Sequence, residues 1–310
     1  YPAVLALALF IWLCAIIGDL QEGQTNLVML LPLLLGLRLI QARRRPTDLA
    51  GGLLIALAVS IKVTPLIFVV YLVLQRRWLA LAAAAVGLLM WLLLVPGLLF
   101  GWQQNLTWLG QWAQIMIFPY VRHGEIHYYS GQSLASFFAR IFQHVPAFTA
   151  HDTTGGGPRY VNLLALPDQA VRWITRAVLL VVAAAGAWWM RRPLESFRGP
   201  RFVLQIGCVA AFMLWASERT WIHHYVTLIL PLIALAMTLA VPGLPPRAQR
   251  LGFAALLFAA VAMLLTSDLA RIFGRNGGDY VRAVGLPLLA SVGIVAAALY
   301  AGRAPRHPSP

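Results

Sequence analysis

Lysine is almost absent from this chain. Of 24 Lys+Arg residues only Lys62 is a lysine, and the acids number just 10. Charged residues make up 11% of the 310 residues, against about 25% in an ordinary soluble domain. Cysteine is nearly missing too. Cys14 and Cys208 both lie inside apolar runs, so a disulfide framework has no support and each reads as a small buried hydrophobe. No G-x-S-x-G nucleophile motif, P-loop or dinucleotide fingerprint occurs, which leaves nucleotide-driven pumping without support. The glycine run in Asp152–Pro158 does not join a strand to a helix, so it reads as a flexible linker rather than a phosphate cradle. No internal repeat of fixed period is visible. Neither a charged leader nor a small-residue cleavage site precedes the first apolar stretch, so that stretch is not expected to be a signal peptide. The chain opens at Tyr1, already inside that stretch, and residues upstream of Tyr1 are expected to be missing.

What is present is hydrophobic. Apolar residues make up 60% of the chain and the mean hydropathy is +0.76. Val178 to Met190, Tyr225 to Val241 and Leu251 to Thr266 run without an internal charge. Set against the roughly 20 residues needed to cross a bilayer core, the apolar runs give about ten segments. They fall near residues 3–18, 24–40, 49–61, 65–75, 79–101, 171–190, 202–217, 223–241, 251–266 and 284–301. The expected fold is an all-α polytopic membrane protein, residues 1–310 forming one transmembrane domain. Its outer loop covers about 102–170, and residues 302–310, rich in Pro and Arg, form a disordered cytoplasmic tail.

The net charge of +14 would suit a nucleic-acid binder if the arginines shared one solvated face. They do not. Arg43-Arg44-Arg45, Arg76-Arg77, Arg191-Arg192, Arg247 with Arg250, and Arg303 with Arg306 sit in short turns between apolar runs. That pattern places those turns in the cytoplasm. No nucleic-acid partner is expected; membrane lipids are.

With this orientation, polar groups that a bilayer rejects gather at the outer ends of the segments: Asp19, Glu22, Gln24 and Asn26; Lys62 and Thr64; Glu218, Arg219, His223 and His224. Segments 49–61 and 65–75 are short, rising only about 20 Å and about 17 Å as helices. They meet at Lys62-Val63-Thr64-Pro65, where proline turns Thr64 away from helical geometry. Such interruptions often frame binding sites in membrane proteins. Lys62 reads either as an ammonium for a lipid-borne phosphate or as a snorkelling interfacial lysine. Gln24 and Asn26 could grip sugar hydroxyls or cap a helix. Asp19 and Glu22 could act as a general base or be solvated loop acids. If helical, Glu218 to His224 would put Arg219 and His223 on one face at i, i+4, suited to an anionic phosphate. His123-Gly-Glu125-Ile-His127 lacks the spacing of the H-E-x-x-H motif and reads as loop, so no metal is expected. Two amphipathic helices are expected in the outer loop. One puts Leu106, Leu109, Trp112, Ala113 and Met116 on one face; the other, Ser133 to Phe142, has Leu134, Phe137, Phe138, Ile141 and Phe142 on one side. Asn105-Leu106-Thr107 matches the glycosylation sequon only formally.

Glu22-Gly23-Gln24-Thr25-Asn26, Ala50-Gly51-Gly52, Ile61-Lys62-Val63-Thr64-Pro65, Tyr71, the Arg76-Arg77-Trp78 turn, Gly131-Gln132-Ser133-Leu134 and Trp221-Ile222-His223-His224-Tyr225 follow one another in order, with Pro231 downstream. This ordered set resembles the GT-C superfamily of bacterial membrane glycosyltransferases that use polyprenyl-phosphate sugars. Within it, the set is most similar to the group of actinobacterial polyprenyl-phosphate-mannose-dependent mannosyltransferases and arabinofuranosyltransferases. The resemblance implies a cofactor-free enzyme of the bacterial plasma membrane with its site on the extracytoplasmic side. It implies a polyprenyl-phosphate sugar donor, mannose favoured, and a glycolipid or polysaccharide acceptor. Inversion follows if transfer is a single displacement. Carried over, Lys62, Arg219, His223 and His224 bind the donor phosphate, and Gln24, Asn26, Gln132 and Ser133 hold sugar or acceptor. The superfamily keeps a catalytic aspartate in its first extracytoplasmic loop, which would lie upstream of Tyr1; inside the chain the candidates are Asp19 and Glu22. A transporter or flippase of lipid-linked glycans, or a surface-polysaccharide polymerase or ligase, are the competing classes.

Overall fold

The computed structural model describes residues 2–118, 129–150, 156–194, 199–240, 242–266, 274 and 276–303. All ten expected segments are built on helix. Among the described residues six helices are long and apolar enough to cross a membrane: Pro2–Gln21, Trp78–Phe100, Asp168–Met190, Ile222–Leu239, Pro246–Leu265 and Leu286–Arg303. Asn26–Ile40 and Pro200–Ala216 are shorter apolar helices. Among the described residues the only sheet is a two-stranded one pairing Phe148–Thr149 with Pro158–Arg159. The chain is an all-α polytopic membrane protein. His123, Glu125 and His127 lie outside the described residues, as does most of the tail.

The chain divides into two compact units. One holds Gln24–Gly124 with Ala184–Phe202, and the other Tyr1–Gly23, Glu125–Ala183 and Val203–Pro310.

In the unit starting at Gln24, the helices Asn26–Ile40, Arg45–Ile61 and Trp78–Leu89 pack side by side. Small residues set the spacing. A Cβ on Gly52 would lie 2.2 Å from the Ala80 carbonyl oxygen, and one on Gly36 would lie 2.8 Å from that of Gly51. In lipid, where no hydrophobic force drives helices together, such close backbone approach supplies the packing energy. The Arg45–Ile61 helix begins earlier than the expected residue 49 because Pro46 sits in its first turn and Thr47 Oγ1 accepts from the Arg44 amide at 3.3 Å. It stops at Lys62, whose extended backbone (φ −151°, ψ 130°) breaks the helix before Leu66–Leu74 starts, as the Thr64-Pro65 step predicts.

At the opposite end of this unit lie the arginine turns. Arg76 takes a left-handed conformation (φ 52°) while its N–H donates to Val73 O and that of Arg77 to Leu72 O, a Schellman closure of the preceding helix. Arg77 then pairs with Asp48 and donates to the Ile40 carbonyl at 3.3 Å, joining three helix ends. Gln75 is buried there; its amide donates to Met190 O and accepts from the Leu194 N–H, both at 2.9 Å.

The Trp78–Phe100 span contains a π-helical stretch, Met90–Leu94. Pro96 cannot donate to the Leu92 carbonyl four residues back. Asn105 takes its place: Nδ2 donates to Leu92 O at 2.9 Å. Asn105 is the buried residue of Trp102–Met116, whose two faces are otherwise largely open. The sequon asparagine is therefore a helix-end staple.

In the other unit, the Trp12 indole donates to Val226 O at 2.9 Å, and Val4 shares a groove with Leu239. Pro2–Gln21 and Ile222–Leu239 therefore run antiparallel. Leu244, Ala248 and Ala301 cluster, placing the arginine-bearing ends of Pro246–Leu265 and Leu286–Arg303 together. At the other end of the latter helix, Trp215 donates to Ser291 Oγ at 2.8 Å. Cys14 and Cys208 are free thiols, half-buried.

Candidate functional site

In the unit starting at Gln24, two residues chosen from sequence meet. Lys62 Nζ donates to Asn26 Oδ1 at 2.5 Å, across 36 positions of chain. Asn26 opens its helix and is 1% exposed; Lys62 caps the neighbouring helix and is half-buried. The hairpin of these two helices carries its arginine turn, with Asp48 and Ile40, at the far end. The amide oxygen takes one of the three N–H groups of the ammonium and fixes where the charge points. Gln24 is half-buried just before that helix, after Gly23 at φ 58°.

The other unit holds the histidines. Glu218 to Trp221 is not helical, and Ile222–Leu228 is a 3-10 helix. The i, i+4 face expected for Arg219 and His223 therefore does not form. The cause is local: Thr220 Oγ1 turns back to Leu214 O at 2.7 Å, ending the preceding helix in a tight turn. His223 is buried, and its ring lies 4.4 Å from that of His224 at 34°. His224 Nδ1 accepts from the Trp221 N–H at 3.0 Å. That bond selects the tautomer with its proton on Nε2, which makes Nε2 a donor suited to an anionic oxygen.

Asp19 and Glu22 stand at the end of Pro2–Gln21 to which the antiparallel packing also brings Trp221 to His224. Asp19 is fully buried and Glu22 exposed.

Gln132 and Ser133 are built into the frame of this unit. Gln132 Nε2 donates to Tyr129 O at 2.6 Å and Arg282 O at 2.9 Å, while its backbone N–H donates to Thr220 O and its carbonyl accepts from Tyr225 Oη. Ser133 Oγ caps Leu134–Phe142 by accepting from the Ser136 N–H at 3.1 Å. Gln132 Oε1 is buried without a hydrogen-bond partner.

Sequence reasoning missed Arg140. It is fully buried and donates to Ala283 O and Gly131 O, both at 2.7 Å, and to Arg282 O at 3.4 Å. Burial pushes its pKa down to about 10, with Tyr225 opposing the shift, so the guanidinium stays charged near neutrality. The helix is amphipathic as expected, and Arg140 lies on the face opposite its phenylalanines. Ser136, Ala139 and Arg140 are buried, while Phe137, Phe138, Ile141 and Phe142 stay half-exposed. An arginine alone among apolar residues was the available signal.

Among the described residues no group of three or more His, Cys, Asp or Glu could hold a metal ion.

Helices long and apolar enough to span a membrane define an integral membrane protein. The family model of glycosyltransferase family 87 matches residues 1–217, and the chain belongs to that family. It is also similar to two curated proteins, each named a polyprenol-phosphate-mannose-dependent alpha-(1-2)-phosphatidylinositol mannoside mannosyltransferase. With that of Mycobacterium tuberculosis it is 27% identical over 231 residues, 73% of this chain and 44% of the relative. With that of Mycolicibacterium smegmatis it is 26% identical over 260 residues, 82% of this chain and 49% of the relative. The chain thus spans less than half the length of the curated relatives it matches. No solved structure matches.

Proposed function

We propose that this chain works in a polyprenyl-phosphate-mannose-dependent mannosyltransferase that acts on a cell-envelope glycolipid at the extracytoplasmic face of the plasma membrane. Family membership supports the reaction class, and the names of the two relatives support the donor and a phosphatidylinositol mannoside acceptor. The observation that carries the reading is the Lys62–Asn26 pair, a lone lysine oriented by an amide at the helix ends opposite the arginine turns.

The chemistry is a single displacement. The acceptor hydroxyl oxygen attacks the anomeric carbon and its proton passes to a carboxylate, Asp19 or Glu22 within this chain. The bond from the anomeric carbon to the phosphate oxygen breaks, and polyprenyl phosphate departs as an anion. Attack from the face opposite the leaving group inverts the centre. In one unit Lys62 is suited to charge developing on a departing phosphate, and in the other Arg219, His223 and His224 offer the same chemistry. Gln24 holds sugar hydroxyls, Asn26 aims the Lys62 ammonium, and Gln132 and Ser133 keep the turn carrying the histidines in place.

The test is an assay of membranes containing the full-length protein with radiolabelled polyprenyl-phosphate-mannose and phosphatidylinositol mannosides. Label reaching the acceptor without nucleotide sugar supports the reading. Scrambling of labelled donor across proteoliposomes with no transfer would instead establish a flippase.

A further inference from the structure

An apolar groove lies at the end of these spans opposite the histidine turn. In the unit containing Tyr1–Gly23, an open groove of about 720 Å³ runs between the start of Pro2–Gln21, the end of Ile229–Leu239 and the first turns of Pro246–Leu265. Val4, Leu239, Phe253, Ala254 and Leu257 form its walls, and Arg250 lines its polar end. The volume falls within the range of about 300–1,000 Å³ typical of small-molecule sites.

The walls are apolar and exposed. Phe253 is 42% exposed and Leu257 49%. Gln249, also at the polar end, spends its amide N–H on Leu244 O at 2.8 Å. Arg250 is exposed, and among the described residues it makes no hydrogen bond or ion pair. A guanidinium at the mouth of an apolar trough meets two demands of one kind of molecule: a phosphate for the bidentate fork and an acyl chain for the walls. A lone snorkelling arginine would need neither a trough nor a second helix.

We propose that this groove binds an anionic glycerophospholipid, its headgroup phosphate on Arg250 and one acyl chain along Phe253 and Leu257. On the orientation expected from the arginine turns, this is the cytoplasmic leaflet, where anionic lipids concentrate. The site is separate from the histidine turn and does not depend on the reaction proposed above.

The experiment uses the full-length protein purified in mild detergent, with co-purifying lipids quantified by mass spectrometry. Arg250→Glu and the groove-filling Leu257→Trp should each lower retained anionic phospholipid at least fivefold. Arg247→Glu, the same charge change on an arginine outside the groove, should leave it unchanged. A photo-reactive residue replacing Phe253 should cross-link anionic phospholipid. Equal loss in the Arg247 variant would overturn the site by showing a diffuse charge effect, and so would equal retention of zwitterionic lipid. Cross-linking of Phe253 to another segment of the protein, or to polyprenyl phosphate, would overturn the assigned occupant.

Discussion

Lys62 Nζ donates to Asn26 Oδ1 at 2.5 Å, so the only lysine of the chain is aimed by the first residue of a neighbouring helix. A snorkelling lysine needs no such partner. If Lys62 stabilises the leaving phosphate, Lys62→Ala should cut transfer on the order of 100-fold, the scale of losing one charge-stabilising donor. Asn26→Ala should lose less, about tenfold, by releasing the ammonium. The double variant should then fall no further than Lys62→Ala, because the amide acts through the lysine. Rates of transfer in membranes at matched protein levels check this; additive losses would separate the two side chains.

His224 should divide binding from chemistry. Its Nδ1 is held by the Trp221 N–H, leaving Nε2–H as donor. His224→Gln keeps a donor but lacks the ring that places it, while His224→Ala removes the donor outright. The expected order of kcat is wild type, then Gln, then Ala, the last about 100-fold down, with both variants inserting normally. Equal kcat in all three would remove His224 from the phosphate.

Much of this was legible before any coordinates. The ten apolar segments are built on helix because an apolar run in lipid must satisfy its backbone hydrogen bonds within itself. The break at Lys62 follows from Pro65, and the meeting of Lys62 with Asn26 was expected as a shared end, though not as a bond. Three features were not legible. Arg140 is buried because it serves the Ala283 carbonyl 143 positions away, and helical periodicity carries no record of a distant carbonyl. The 3-10 geometry at Ile222–Leu228 depends on a side-chain bond from Thr220 to Leu214. Asn105 reads as a sequon until Pro96 is seen to orphan the Leu92 carbonyl.

Gly52 sets the closest helix approach. A methyl group there would sit 2.2 Å from a backbone oxygen, which no rotamer change can relieve. Gly52→Ala should therefore destabilise the protein by about 3 kcal/mol or more, the upper range for overpacking. Gly110→Ala is the control, since nothing lies within 4 Å of its added Cβ. Thermal unfolding in detergent compares the two; equal midpoints would mean that the helices part freely.

The Arg77–Asp48 pair should behave as a buried ion pair, with side chains 8% and 14% exposed. Removing one partner strands the other charge, at a cost of about 3–5 kcal/mol. Asp48→Ala should thus be more damaging than Arg77→Met combined with Asp48→Leu, which removes both charges and keeps the volume. Unfolding midpoints of the three proteins test the order. A double variant less stable than Asp48→Ala would mean that the bond from Arg77 to Ile40 O matters more than the pair.

Asp19 and Glu22 differ in what they can reach. A base must touch the acceptor hydroxyl, within about 2.6–3.2 Å or through one water. Asp19 is fully buried against its own unit, whereas Glu22 is exposed just past the helix end. Of the two, Glu22 is the better proton acceptor, and Asp19 fits a packing role beside the histidine turn. Glu22→Gln, which keeps shape and removes basicity, should lower kcat at least 100-fold while leaving donor KM within about twofold. Asp19→Asn should keep most of the activity, and Asp19→Leu should lower the unfolding temperature instead. Should Glu22→Gln turn over normally while Lys62→Ala does not, the phosphate cradle would stand. The proton would then have to leave through a carboxylate that neither Asp19 nor Glu22 supplies.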